Sequence, residues 1–384
     1  MEPIEENGKM VSLGIAYFAY YAWLCLSFTY LPTYFLDVLH FSGKEISLIY
    51  SGMTMASMIG QPFWGQIADA SQKTGRIVRC CGGIGLVAFG PMLFCQSFFL
   101  ILASLWLVSF CMICIPSLLD TLSLTRFKIG SYGKIRVWGS IGYGFSALVF
   151  PAECISLVIP GIMIALGICS LAFATIGEEN RKPVPLSEEK MYLGKILKNR
   201  AFLALCFFGL IHWSSICPYN FIFDAYRQGI PLPARVTGYG VASGIVAECL
   251  MIRFSPRWLP WTSARRWLMV SACFTAFRWA SMAYPLPAYP LIAIQTLHGL
   301  SYGAFFVSSI SYLADNVPEK MRATGQTLYC GIIFGGGSLL GNFYTGMLLD
   351  SPWKGFGVFG CASFISLAAL VSSTLIASDA KNKF

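Results

Sequence analysis

Six ionisable residues stand inside otherwise apolar stretches of this 384-residue chain: Asp120, Arg136, His212, Glu248, Arg278 and His298. A charge at the centre of a hydrocarbon layer costs at least about 2.5 to 3.5 kcal/mol, so such residues pair with one another, face water or meet a polar ligand. Asp120 closes one apolar run and Arg136 opens the next, within PSLLDTLSLTRFKIGSYGKIRVWGSIGYG at 116–144. The residues between them include Arg126, Lys128 and Lys134 with Gly130 and Gly133, which predicts a tight basic turn that brings Asp120 and Arg136 together. Two readings of the pair stay open, a structural clasp between two helices and direct contact with a polar solute. Counted at about 1.5 Å per residue, Arg278 and His298 fall near the middle of their runs and Glu248 about a turn to one side, which predicts a shared cavity. Desolvation favours a protonated acid and a nearby guanidinium favours a carboxylate, so a buried acid whose arginine moves can load and release a proton. His298 carries a side chain that titrates near neutral pH, with ordinary packing as the alternative, and His212 is the weaker candidate of the two.

The setting of these residues is a membrane. The chain is 56% hydrophobic and 12% charged, half the charge that a soluble domain carries, which is about 25%. A span needs about 20 apolar residues. Twelve runs qualify, at 10–36, 46–68, 79–97, 99–121, 134–151 and 154–176, then 201–224, 236–253, 267–284, 288–313, 322–348 and 356–377. The net charge of +9 follows topology: 22 of the 27 basic residues fall on one side of the connections, which predicts both ends of the chain in the cytoplasm and excludes nucleic-acid binding as its cause. The acidic start MEPIEENGK ahead of a long aromatic run predicts an uncleaved first helix. The fourteen cysteines lie almost all inside apolar runs and read as small hydrophobes, with no metal-ligand spacing.

The expected fold is an all-α membrane protein with twelve transmembrane helices in two pseudo-symmetric bundles of six. Residues 1–177 form the first bundle, the Pro-rich, doubly charged stretch 178–200 a cytoplasmic linker, and 201–384 the second bundle. KIRVWG at 134–139 and KMRATG at 320–325 share K-x-R-x-x-G at the opening of corresponding runs, the mark of a repeat. Two such halves imply a secondary transporter with a site near the midplane. Glycines one turn apart, at 240 and 244, 299 and 303, and 337 and 341, predict close helix approach.

The second run ends in QPFWGQIADASQKTGR, where Gly65 permits close packing, Asp69 stands at the helix end and Arg76 follows in a turn. Here the chain resembles the major facilitator superfamily, and the resemblance implies that Gly65, Asp69 and Arg76 form a gating motif. It extends through Asp120 with YGKIRVWGS, AECLMI, AFRWAS and QTLHGLSYG. In that order these segments are similar to the lactose permease type of proton symporter and, more closely, to its phenylpropionate-permease-like branch. The resemblance implies Asp120, Arg136, Tyr143 and Glu248 as solute ligands and Arg278 with His298 as the proton-coupling region, in which Glu248 and Asp120 are the acids at hand. Gln295 and His298 add hydrogen bonds to solute. Three departures matter. Ser301 stands in place of a proton-binding glutamate, Gln295 in place of a lysine, and Met251 in place of a sugar-binding asparagine.

The function expected from sequence is secondary active transport of an organic acid, sugar or nucleoside by alternating access, with proton symport. A facilitator or exchanger, and a sensor or scaffold on the same fold, are the competing readings. No nucleophile-base pair, metal cluster or Walker loop points to an enzyme or an ATP-driven pump. The expected partners are the solute, a proton and the lipid bilayer, without a cofactor, in a monomer of the cell inner membrane.

Overall fold

A computed structural model describes residues 3–71, 73–127, 129–151, 153–177, 196–317 and 322–376. Every regular element among them is helical, and a helical rod occupies each of the twelve expected segments. The first rod is α1 (Pro3–Cys25), a wide π-helical turn (Leu26–Tyr30) and α2 (Leu31–Asp37). Then come α3 (Gly43–Ser71), α4 (Thr74–Phe89), the pair α5 (Phe98–Met112) and α6 (Ile115–Arg126), α7 (Ile129–Val149) and α8 (Val158–Ala174). The later rods begin with α9 (Arg200–Gln228), α10 (Arg235–Arg253), the short α11 (Ser255–Trp258) and α12 (Ala264–Met282). The tenth rod joins α13 (Ala288–Gln295) to α14 (Phe305–Asn316) through a π-helical turn at Gly299–Ala304. The eleventh joins α15 (Arg322–Cys330) to α16 (Gly337–Leu349) through another at Gly331–Gly336, and α17 (Lys354–Ser372) is the last.

Eight of the rods are long and apolar enough to cross a membrane by that measure alone. The four that fall short are α3, α7, α10 and α12, and these carry Asp69, Arg136, Glu248 and Arg278. Asp120, His298 and the pair Asp224–Arg227 lie instead in rods that do qualify.

Two element boundaries differ from expectation. The turn predicted between Asp120 and Arg136 is mostly helix, since α6 continues to Arg126 and α7 starts at Ile129. Arg227, expected in a connection, sits in the last turn of α9 and is buried. Most of the linker, 178–195, lies outside the described residues.

The chain divides into two compact units, Met1–Phe41 with Leu48–Val184 and Ser42–Ser47 with Pro185–Phe384. In the first, the opening rod lies along α7 and beside α8. Gly142 makes that approach possible, because a Cβ there would stand 2.3 Å from the carbonyl oxygen of Phe18. Tyr30 fastens the same seam by donating to the carbonyl of Ala147 at 2.8 Å.

In the second unit α9, α12 and α17 pack together around Phe208, Leu268, Ala272, Phe305, Tyr329 and Ala369. The tenth rod lies against α10 at Gly299, where a Cβ would fall 2.7 Å from the carbonyl oxygen of Ala247. Gly65 does not play the packing part expected of it. A Cβ at Gly65 would meet no described atom within 4 Å, and tight approaches in α3 occur instead at Gly52, 1.9 Å from the Trp106 ring, and at Gly60, 2.2 Å from the Phe110 carbonyl oxygen.

Candidate functional site

In the first unit, Tyr17 and Tyr21 stand one turn apart on α1 and so share a face. Tyr17 donates its hydroxyl hydrogen to the carboxylate of Asp120 on α6. Arg136 on α7 donates from Nη2 to the hydroxyl of Tyr21, with its guanidinium 4.5 Å from the Tyr21 ring centre and 5.5 Å from that of Tyr17. Both charges therefore settle on consecutive turns of one helix face, and the aromatic faces hold the cation while the hydroxyls stay polar. Tyr143, two turns beyond Arg136, brings its hydroxyl within 3.4 Å of the Thr29 hydroxyl in the π-helical turn of the first rod.

The second unit holds a denser cluster. Arg278 on α12 is wholly buried. Gln295 Oε1 accepts from its Nε at 3.2 Å and from its Nη2 at 2.6 Å. Its Nη1 lies 3.1 Å from His298 Nδ1 and 3.4 Å from the Ser301 hydroxyl. The guanidinium also faces the rings of Tyr219 and Trp279, at 4.3 and 4.4 Å from their centres. On the other side of the imidazole, Nε2 is 3.2 Å from Glu248 Oε2 on α10.

The donor count fixes the chemistry of this chain. A guanidinium has only hydrogens to offer, so Nδ1 facing it must accept. The hydrogen of neutral His298 is then on Nε2 and is donated to Glu248 Oε2, an assignment that rests on the network. His298 thus stands between Arg278 and Glu248, where the sequence predicted one shared cavity for all three. The local structure sets the register: Gly299 lets the tenth rod touch α10, and the wide turn that begins there puts Gln295, His298 and Ser301 on the side of Arg278.

Gln295, expected as a solute ligand, is buried, with its oxygen on Arg278 and its amide nitrogen donating to the Leu291 carbonyl at 2.9 Å. It holds the arginine. His212 is a packing histidine whose Nε2 is 3.1 Å from the Ser301 carbonyl oxygen and whose ring lies on Phe208 and Phe305. Of the gating motif, Arg76 is exposed in the first turn of α4, and the Asp69 side chain lies outside the described residues.

Sequence reasoning missed one buried polar group altogether. Asp224 Oδ1 accepts from Arg227 Nη2 at 2.7 Å and from the Thr237 hydroxyl at 2.6 Å, joining the end of α9 to the start of α10. Its Oδ2 is buried without a hydrogen-bond partner. The available signal was the three-residue spacing of an acid and a base in one apolar run.

Over most of its length the chain is similar to known transporters. The chain is 25% identical to the uncharacterized transporter YwbF of Bacillus subtilis over 354 residues, covering 90% of this chain and 87% of that one. It is 24% identical to the maltose permease of Geobacillus stearothermophilus over 358 residues, covering 91% and 90%. It is also 24% identical to the probable 3-phenylpropionic acid transporter of Escherichia coli over 249 residues, covering 62% and 64%. The crystal structure of the nucleoside transporter NupG superposes with a TM-score of 0.84 at 17% identity over 96% of this chain and 98% of that one, which shows the shared fold. The model of the MFS_1 like family matches residues 10–358, most of the chain, and this protein, a transporter of small solutes and not an enzyme, belongs to that family.

Proposed function

We propose that the protein is a secondary active transporter that works by alternating access and carries a proton together with a small polar solute, an organic acid, a sugar or a nucleoside. Relatives named for maltose, 3-phenylpropionic acid and xanthosine span those same three classes. The observation that carries the proton reading is the chain Arg278, His298, Glu248. A proton arriving on His298 Nδ1 would set an N–H against the N–H of Arg278, and the guanidinium must then leave that position. A proton on Glu248 removes the negative charge that strengthens its hydrogen bond with the imidazole. In either case the place of Arg278 depends on whether the proton is bound, so the carboxylate absent at Ser301 is not required for coupling.

Asp120, Arg136 and Tyr143 then act as solute ligands in the first unit, with Tyr17 and Tyr21 orienting the two charges. Glu248 and His298 serve solute and proton in the second, and Gln295 fixes Arg278. Gly65, Asp69 and Arg76 form the gating motif. The protein sits as a monomer in the cell inner membrane with both ends of the chain in the cytoplasm, an orientation that the distribution of basic residues supports.

Ser301, a neutral hydroxyl beside Arg278, supports a second reading, facilitated diffusion or exchange. Proteoliposome uptake separates the two. Pooled organic acids, sugars and nucleosides are offered with and without an inward proton gradient, and accumulation is expected only with it. Equilibration or exchange that ignores the gradient would leave the second reading. Glu248→Gln and Arg136→Ala are each expected to abolish accumulation while leaving the protein folded in the membrane, and normal uptake by both would end the site assignment.

A further inference from the structure

Away from both clusters, the end of α10, α11 and the π-helical turn of the tenth rod enclose an open-sided groove of about 330 Å³ in the second unit. Leu250, Met251, Phe254, Trp258 and Leu300 line it with Ala247 and Gly299, and Thr296 is the one polar residue of the lining. Trp258 is held in place by donating its indole hydrogen to the Met251 carbonyl at 2.7 Å and by packing edge-on against Trp267, with ring centres 4.6 Å apart. Beside it Trp261 is 76% exposed, as suits an indole at the boundary between hydrocarbon and water.

Basic residues stand on the elements of this groove and at the start of α12, whose Trp267 packs against Trp258. The guanidinium of Arg257 lies 5.1 Å from the Phe254 ring centre, directly over the lining. Arg253 ends α10, and Arg265 and Arg266 stand in the first turn of α12. Among the described residues none of these four arginines is in an ion pair, and the Nε of Arg265 is buried without a hydrogen-bond partner. An apolar slot has no use for a free anion, and a row of unpaired arginines has no use for a neutral lipid. A ligand that satisfies both has a hydrocarbon chain and an anionic head.

We infer that this groove is a binding site for an anionic phospholipid, with an acyl chain along Leu250, Phe254 and Leu300 and the head-group phosphate on Arg253, Arg257 and Arg266. The site goes beyond the transport reading and does not depend on the solute. It does touch the machinery, since Gly299 and the α10 backbone at Ala247 form the seam that holds Glu248 next to His298. A lipid seated there presses on that seam.

The test is native mass spectrometry of the full chain, exchanging bound lipid against phosphatidylglycerol or phosphatidylcholine. Phosphatidylglycerol is expected to be retained in preference. Arg257→Gln is expected to weaken it about fivefold, and the triple change at Arg253, Arg257 and Arg266 by about that factor for each, with phosphatidylcholine unaffected. Arg257→Lys keeps the preference. Leu300→Trp, which fills the slot, lowers retention of both lipids. The inference fails if the preference survives the triple change, or if Lys198→Gln with Arg200→Gln lowers it equally, which would mean diffuse surface charge. It also fails if inorganic phosphate binds with the same arginine dependence while Leu300→Trp has no effect, which would mean an anion site without a lipid.

Discussion

Gln295→Leu tests the second-unit cluster at its most exposed assumption, that a neutral amide holds a buried guanidinium. The wild-type amide oxygen accepts two hydrogen bonds from Arg278, at 3.2 and 2.6 Å. Hydrogen bonds to a charged group are worth about 1.5 to 3 kcal/mol each in water-soluble proteins. Side-chain hydrogen bonds within membranes average about 0.6 kcal/mol and reach about 1.7. Two bonds sharing one acceptor and involving a full charge fall between these limits, so the loss is about 2 kcal/mol, or a fall in melting temperature of roughly 4 to 8 °C for a unit of this size. The assay is thermal unfolding of the purified protein in detergent, followed by intrinsic fluorescence. The control is the double variant Gln295→Leu with Arg278→Leu. Replacing both partners by apolar groups removes the unpaired charge, so the double variant is expected to regain at least half of the loss. A melting temperature for Gln295→Leu within a degree or two of wild type, or a double variant less stable than either single one, would refute the reasoning.

Asp224→Ala leaves Arg227 buried and uncompensated, and is expected to cost about 3 to 5 kcal/mol, whereas Asp224→Leu with Arg227→Leu restores most of it, as read by the same melting assay. A stability unchanged by Asp224→Ala would show that the group at the α9–α10 junction is not a clasp. For the transport cycle, symport of one proton with a monocarboxylate moves no net charge, so an imposed membrane potential is expected to leave its initial rate unchanged. A rate that rises with inside-negative potential would instead indicate a neutral solute.

The charged framework was legible in the sequence because ionised side chains in apolar runs are too costly to be incidental. That physical rule selected Asp120, Arg136, Glu248, Arg278 and His298 without any knowledge of contacts, and the structure gathers the first two onto α1 and the last three into one chain. What escaped was partnership. Gln295 and Arg278 are seventeen residues apart on different rods, and nothing in an amide's type announces that its oxygen faces a guanidinium. Tyr17 and Tyr21 stand at helical spacing in the sequence, but tyrosines so spaced look the same whether they pack or orient charges. Asp224 and Arg227 were hidden by a boundary error, since a span placed to end at 224 turned its last buried turn into a loop. The π-helical turns, which set the register around His298 and Thr29, have no periodicity signal short enough to read.

Charge balance ties these particulars to the choice of solute. In the second unit Arg278 carries one positive charge, Glu248 one negative charge, and His298 none in the tautomer its neighbours require, so the resting cluster is neutral. Asp120 and Arg136 likewise cancel in the first unit. Two neutral sets are what a low-dielectric setting tolerates. Binding one proton makes the second cluster positive, and closing a membrane passage over an uncompensated charge is costly. A carboxylate solute bound in the same cycle restores the balance, and an uncharged sugar does not. Within the proposed transport reading, Gln295 and Ser301 matter because they are neutral: a lysine at the first would add a positive charge and a glutamate at the second a negative one. With neither present, the proton and an organic anion are the pair of loads that return this cluster to zero net charge.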